Sequence, residues 1–128
     1  MAAGNMNVKK NKINVGIIGI GNCSAALLMG MQYYNNHYYE NENYKNFAGL
    51  MNPILGGYKV SDIQITSGFD VDSKKIGKDI GEAIFCPPNN TKTFSDVDNQ
   101  NVIINKGPIL DGISEIMKKI FDVDESQK

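Results

Sequence analysis

The sequence predicts an α/β protein, the first half of a doubly wound parallel sheet, and three observations predict it. An apolar run at residues 13–18 breaks abruptly into Gly19-Ile20-Gly21-Asn22-Cys23-Ser24, and an apolar helical stretch follows at once. Two further apolar runs alternate with helical patterns, which gives the count β-α-insertion-β-α-β-α. The first run is almost continuously apolar, as suits a strand buried on both faces of a parallel sheet.

Taken in order, residues 1–12 are polar and read as a flexible tail ahead of a domain over 13–128. The first strand covers 13–18 and the first helix 22–34. Leu27, Leu28, Met31 and Tyr34 recur at helical spacing in that helix and are expected to face the sheet. Residues 35–62 form an insertion, rich in Asn and Tyr at first and then punctuated by Gly49, Pro53, Gly56 and Gly57. The second strand covers 63–69. Asp72 and Ser73 are candidate caps for a second helix, whose Ile76, Ile80, Ala83 and Ile84 make an i, i+4, i+7, i+8 stripe. Pro87-Pro88-Asn89-Asn90 ends it. A short third strand covers 102–104. Asp111 is expected to cap a third helix with Ile113, Ile116, Met117, Ile120 and Phe121 on its apolar face, and the closing DVDESQK is polar.

Composition narrows the functional classes. A chain of 128 residues can bury one real core but is short for a two-domain oxidoreductase. A net charge of −1 leaves no electrostatic footprint for nucleic acid. All 13 basic residues are lysine, so no mechanism here uses a bidentate guanidinium clamp. No apolar run nears the roughly 18 residues that span a membrane, and the N-terminus lacks an apolar signal core. Cys23 and Cys86 do not make a disulfide framework. These features predict a cytoplasmic chain with neither a membrane nor a nucleic-acid partner. No metal-ligand pattern is visible, and His37, the one histidine, reads as an exposed loop residue.

The order strand, glycine turn, helix is the fingerprint of a dinucleotide site, with Ser24 where the third glycine usually stands. Gly19 permits the tight turn. Gly21 lets a pyrophosphate approach the backbone, and the N–H groups of the first helical turn, from Asn22, Cys23 and Ser24, face that anion. Cys23 reads as a small packing residue of the turn. A site of the NAD type also needs a carboxylate at the end of the second strand to accept hydrogen bonds from the adenosine ribose. Asp70 occupies that place, displaced in sequence by the insertion. Lys74 and Lys75 pull toward a 2′-phosphate and NADP, yet the acid at the strand end favours NAD.

Five segments in one order resemble the archaeal and bacterial type of myo-inositol-3-phosphate synthase: GIIGIGNCSAAL at 16–27, GLMNPILGGYKVSDI at 49–63, GFDVDSKKIGKDIGEAIF at 68–85, PNNT at 88–91 and KGPILDGI at 106–113. The resemblance implies an NAD-dependent isomerase that makes inositol 3-phosphate from glucose 6-phosphate by internal oxidation, aldol cyclisation and reduction, working as a homotetramer. It also implies that the catalytic residues lie downstream, so that this chain is an N-terminal fragment carrying the cofactor side only and is inactive alone. The cofactor residues it carries over are the 19–24 loop, Asp70 and Asp79, with Asn89, Asn90 and Thr91 near by. Two alternatives remain: another NAD-dependent dehydrogenase, which has no need of GLMNPILGGY or GPILDG, and a stand-alone nucleotide-binding domain without catalysis.

Overall fold

The computed structural model describes residues 11–38, 48–110, 112–124 and 126. Three parallel strands form one sheet in the order β1 (Ile13–Ile18), β2 (Ile63–Asp70), β3 (Ile104–Lys106). Ile13 pairs with Ile63 and Ile18 with Phe69, with one register irregularity between Val15 and Gly16; Gly68 pairs with Ile104 and Asp70 with Lys106. Parallel neighbours taken in sequence order, with a helix crossing from β1 to β2, are the arrangement of the first half of a doubly wound sheet. The fold class read from the sequence is therefore the observed one.

The core joins the sheet to the helices through Ile20, Ala25, Leu28, Met29, Ile65, Ile80, Ile84 and Ile104, each 4% exposed or less. β1 departs from expectation. Only Val15 and Ile17 pack against the core, while Ile18 is 89% exposed. Side chains alternate along a strand, and among the described residues nothing covers the second face of β1.

Helix α1 (Asn22–Tyr38) runs four residues past its predicted end. The last turn is held by i, i+4 contacts that composition hides. Gln32 Nε2 donates to Asn36 Oδ1 at 3.2 Å, His37 Nδ1 lies 2.7 Å from the Tyr33 carbonyl, and the two rings stack with centroids 4.2 Å apart. Leu28 and Met31 face the core as expected, but Leu27 is 46% exposed and its place is taken by Ala25 and Met29. From Ala48 onward the insertion is built by Leu55 and Tyr58, which pair antiparallel across Gly56-Gly57. Both glycines have positive φ, 57° and 78°, as a tight two-residue turn requires. A 3-10 turn, Val60–Asp62, then leads into β2.

The long second helix is not formed. Residues 72–76 make one turn, Gly77 breaks it at φ 83°, and α2 is only Ile80–Ala83. Its cap is Asp79, not Asp72 or Ser73. Asp79 Oδ1 accepts from the N–H groups of Gly81 (2.8 Å) and Gln100 (3.0 Å), and Oδ2 accepts from that of Val102 (2.9 Å). The predicted stripe still points inward at Ile80, Ala83 and Ile84, because the break falls between turns. β3 begins two residues later than predicted. The third helix shrinks to α3 (Glu115–Lys118), capped by Ser114, whose Oγ accepts from Met117 N–H at 3.2 Å. Ile116, Met117 and Ile120 are exposed, and the expected cap Asp111 lies outside the described residues.

Asp79 is 8% exposed, so its removal strands three backbone donors around α2 and β3. Asp79→Ala is expected to cost about 3 kcal/mol of stability in urea unfolding, with Asp79→Asn losing less.

Candidate functional site

The glycine loop lies at the carboxyl end of the sheet, where open parallel sheets place their ligand crevice. Gly19 has φ 88° and donates its N–H to the Phe69 carbonyl at 2.8 Å. Ile20 N–H donates to Asp70 Oδ2 at 2.6 Å. Ser24 Oγ donates to the Gly19 carbonyl at 2.6 Å, and Lys75 Nζ to the Ile20 carbonyl at 2.6 Å. Helix α1 starts with Ala25 N–H on the Gly21 carbonyl at 3.0 Å. A Cβ built on Gly21 would meet no atom within 4 Å.

Asp70 is thus brought to the loop from 50 positions away. Its Oδ1 accepts from the N–H groups of Val71 (2.7 Å) and Asp72 (2.9 Å). Three of the roughly four acceptor positions of a carboxylate are filled, and one remains. The 88–91 loop reaches the same place: Asn90 N–H donates to Asn22 Oδ1 and Thr91 Oγ1 to the Asn22 carbonyl, both at 3.0 Å. Asn89 is used within its own loop, accepting from Thr91 N–H and donating to the Ile84 carbonyl. Val71 opens onto a shallow groove formed with Pro108, Ile109, Leu110, Gly112 and Ile113, in which backbone polar groups and aliphatic side chains are both exposed.

Three expectations change. Cys23 is exposed, not packed into the turn. Asp79 does not join this group, because both its oxygens are committed to the backbone around α2. Lys75 is 3% exposed and turned toward Ile20, so of the two lysines weighed for a 2′-phosphate only Lys74 is on the surface. Among the described residues no three of His, Cys, Asp and Glu cluster as a metal would require, and no helix is long and apolar enough to cross a membrane.

A further feature went unread in the sequence. The stretch 122–124 returns to the tip of β2. Ser73 N–H and Oγ donate to the Asp122 carbonyl (2.7 Å) and Oδ2 (2.6 Å), and Asp124 N–H donates to the Val71 carbonyl (3.0 Å). Lys106 Nζ, at the end of β3, lies 3.1 Å from Asp124 Oδ1. Hydrogen bonds from Ser126, with help from Lys106, lower the Asp124 carboxyl to about 2. The only sequence signal was the acid spacing of DVDES, which does not name its partners.

Fold and site together define a class: an α/β protein with a parallel sheet of the doubly wound kind, carrying a glycine loop and an acid at its carboxyl end. Within that class the chain is a homologue of the inositol-3-phosphate synthases. It is 40% identical over 122 residues to the inositol-3-phosphate synthase of Mycolicibacterium smegmatis, covering 95% of this chain and 32% of that protein. It is 37% identical over 116 residues to that of Mycobacterium tuberculosis, covering 91% and 30%. The chain therefore spans about a third of the length of these curated relatives. The crystal structure of Ari2 superposes with a TM-score of 0.68 at 25% identity, over 77% of this chain and 30% of that one. No family model matches the chain.

The lowered Asp124 carboxyl gives a pH prediction. A group whose folded value lies below its ordinary 3.8 stabilises the fold above 3.8 and loses that contribution as pH falls toward about 2. In a carbon-13 titration Asp124 is expected to protonate near 2, and Lys106→Met to raise that midpoint.

Proposed function

We propose that this chain supplies the adenosine and pyrophosphate side of an NAD site in an inositol-3-phosphate synthase. The observation that carries the reading is the open loop at Gly21. A Cβ there would meet no protein atom, so packing alone does not call for glycine at this position; a phosphate drawn close to the backbone does.

The residues present fit the cofactor. Among the described residues the N–H groups of Gly21, Asn22 and Cys23 meet no protein acceptor, as expected for the first turn of a helix. They would hold the pyrophosphate, aided by the positive end of α1. Asp70 keeps one acceptor position for a ribose hydroxyl and would repel a 2′-phosphate, so NAD is favoured over NADP. The groove beside Val71 would offer an adenine ring the aliphatic side chains of Val71, Pro108 and Ile109. Asn90 and Thr91 brace Asn22 and so fix the first turn of α1. The cofactor supplies hydride acceptance and return, which fits the conversion of glucose 6-phosphate to inositol 3-phosphate without net redox change. The relatives are about three times as long as the described match, so the sugar-phosphate pocket, the catalytic groups and any tetramer contacts are assigned to the remainder of such a protein, and the 128 residues alone are expected to give no turnover.

Gly21→Ala separates ligand from fold. The substitution is expected to leave the thermal midpoint unchanged, because the space is open and φ is not positive there. It is expected to weaken NAD binding about tenfold in calorimetry, close to 1.4 kcal/mol. Unchanged NAD affinity in the variant contradicts the reading.

A further inference from the structure

We propose that Lys75 is the positioning residue of the anion-binding loop, aiming the Gly21 N–H at the ligand phosphate from beneath. The inference rests on the nucleotide reading above and deepens it. It starts from an unusual placement: Lys75 is 3% exposed, although lysine is almost never fully buried without a partner. Its Nζ lies 2.6 Å from the Ile20 carbonyl oxygen, 55 positions away in sequence. Among the described residues the hydrogen bond of that ammonium is this one to a backbone carbonyl, and no carboxylate forms an ion pair with it. Burying an ammonium is costly, and this one lies beside Ile20, which is itself fully buried in the apolar core.

The backbone explains what the placement does. In a trans peptide the C=O and the following N–H point in opposite directions. Asp70 takes the Ile20 N–H, so the Gly19 carbonyl of the same peptide points the other way, to Ser24 Oγ. Lys75 takes the Ile20 carbonyl, so the Gly21 N–H of the next peptide points away from the buried ammonium. Three side chains thus set two successive peptide planes. The second plane directs the first free donor of the loop outward, and the ammonium lies behind it as a buried positive charge. Lys75 touches no ligand in this arrangement. It acts through Gly21, and it is unavailable to a 2′-phosphate.

The test compares the 128-residue chain with Lys75→Met, which keeps an unbranched side chain one atom shorter and removes its charge and donors. Adenosine and ADP are titrated by calorimetry, and the Gly21 and Asn22 amides are followed in nitrogen-15 spectra. The variant is expected to lose at least about tenfold in ADP affinity, to keep its adenosine affinity, and to show displaced Gly21 and Asn22 signals. A folded variant that binds ADP as the parent does, or that loses ADP and adenosine in parallel, overturns the proposal. If the parent chain binds neither ligand, the nucleotide reading fails by itself. The Gly21 amide then decides the positioning role, upheld if the variant displaces it and overturned if it does not move. Should Lys75→Met fail to fold, Lys75→Gln, which retains a donor, is read by the same two measurements.

Discussion

The hydrogen bond from Ile20 N–H to Asp70 is the constraint on which the rest of the site depends. It is charge-assisted, it is 2.6 Å long, and it joins the end of β1 to the end of β2 across 50 residues of chain. Beside it, Gly19 N–H on the Phe69 carbonyl continues the β1–β2 ladder one step beyond the strand. Together they stop β1 at a defined point and turn the chain out over the sheet. Helix α1 can then begin with its free donors gathered at the strand ends. Without that anchor, a segment holding two glycines in three residues has many conformations to lose on folding.

The same carboxylate ties the loop to the segment that follows β2. Asp70 Oδ1 gathers the N–H groups of Val71 and Asp72, which bends the chain into the 72–76 turn. That turn carries Lys75 back under Ile20. Just beyond, the 122–124 stretch lies along Val71 and Ser73, and Gly107 N–H closes on the Asp70 carbonyl at 2.8 Å. One acid therefore organises both segments and keeps one acceptor position, which the proposed reading gives to a ribose hydroxyl. Those three backbone donors account for the partial burial of Asp70 at the end of β2.

What was legible in the sequence was local. β1 was read to the residue, because a continuous apolar run ended by Gly19 has few other solutions. The placement of Asp70 followed from topology, despite the insertion. Helix α1 was cut short because Asn35, Asn36 and His37 look like loop composition, while Gln32 and Tyr33 hold them helical from one turn back. The second helix was overread for the opposite reason. The stripe from Ile76 to Ile84 has helical spacing, but Gly77 at positive φ and the capping demand of Asp79 interrupt it. Asp79 was grouped with the cofactor residues by resemblance, and its three backbone donors come from residues up to 23 positions away, which no local pattern announces. The Ser73–Asp122 clasp spans 49 residues and escaped for the same reason. Burial of β1 on both faces was inferred from apolarity alone, and the exposed Ile18 shows that apolarity does not name the element that covers it.

A crystal structure of the chain soaked with NAD tests the central claim most directly. The account predicts the pyrophosphate against the N–H groups of Gly21, Asn22 and Cys23, a ribose hydroxyl on Asp70, and the Ile20–Asp70 bond intact. A saturated crystal with the loop empty and NAD held elsewhere, or with Ile20 released from Asp70 on binding, would contradict it.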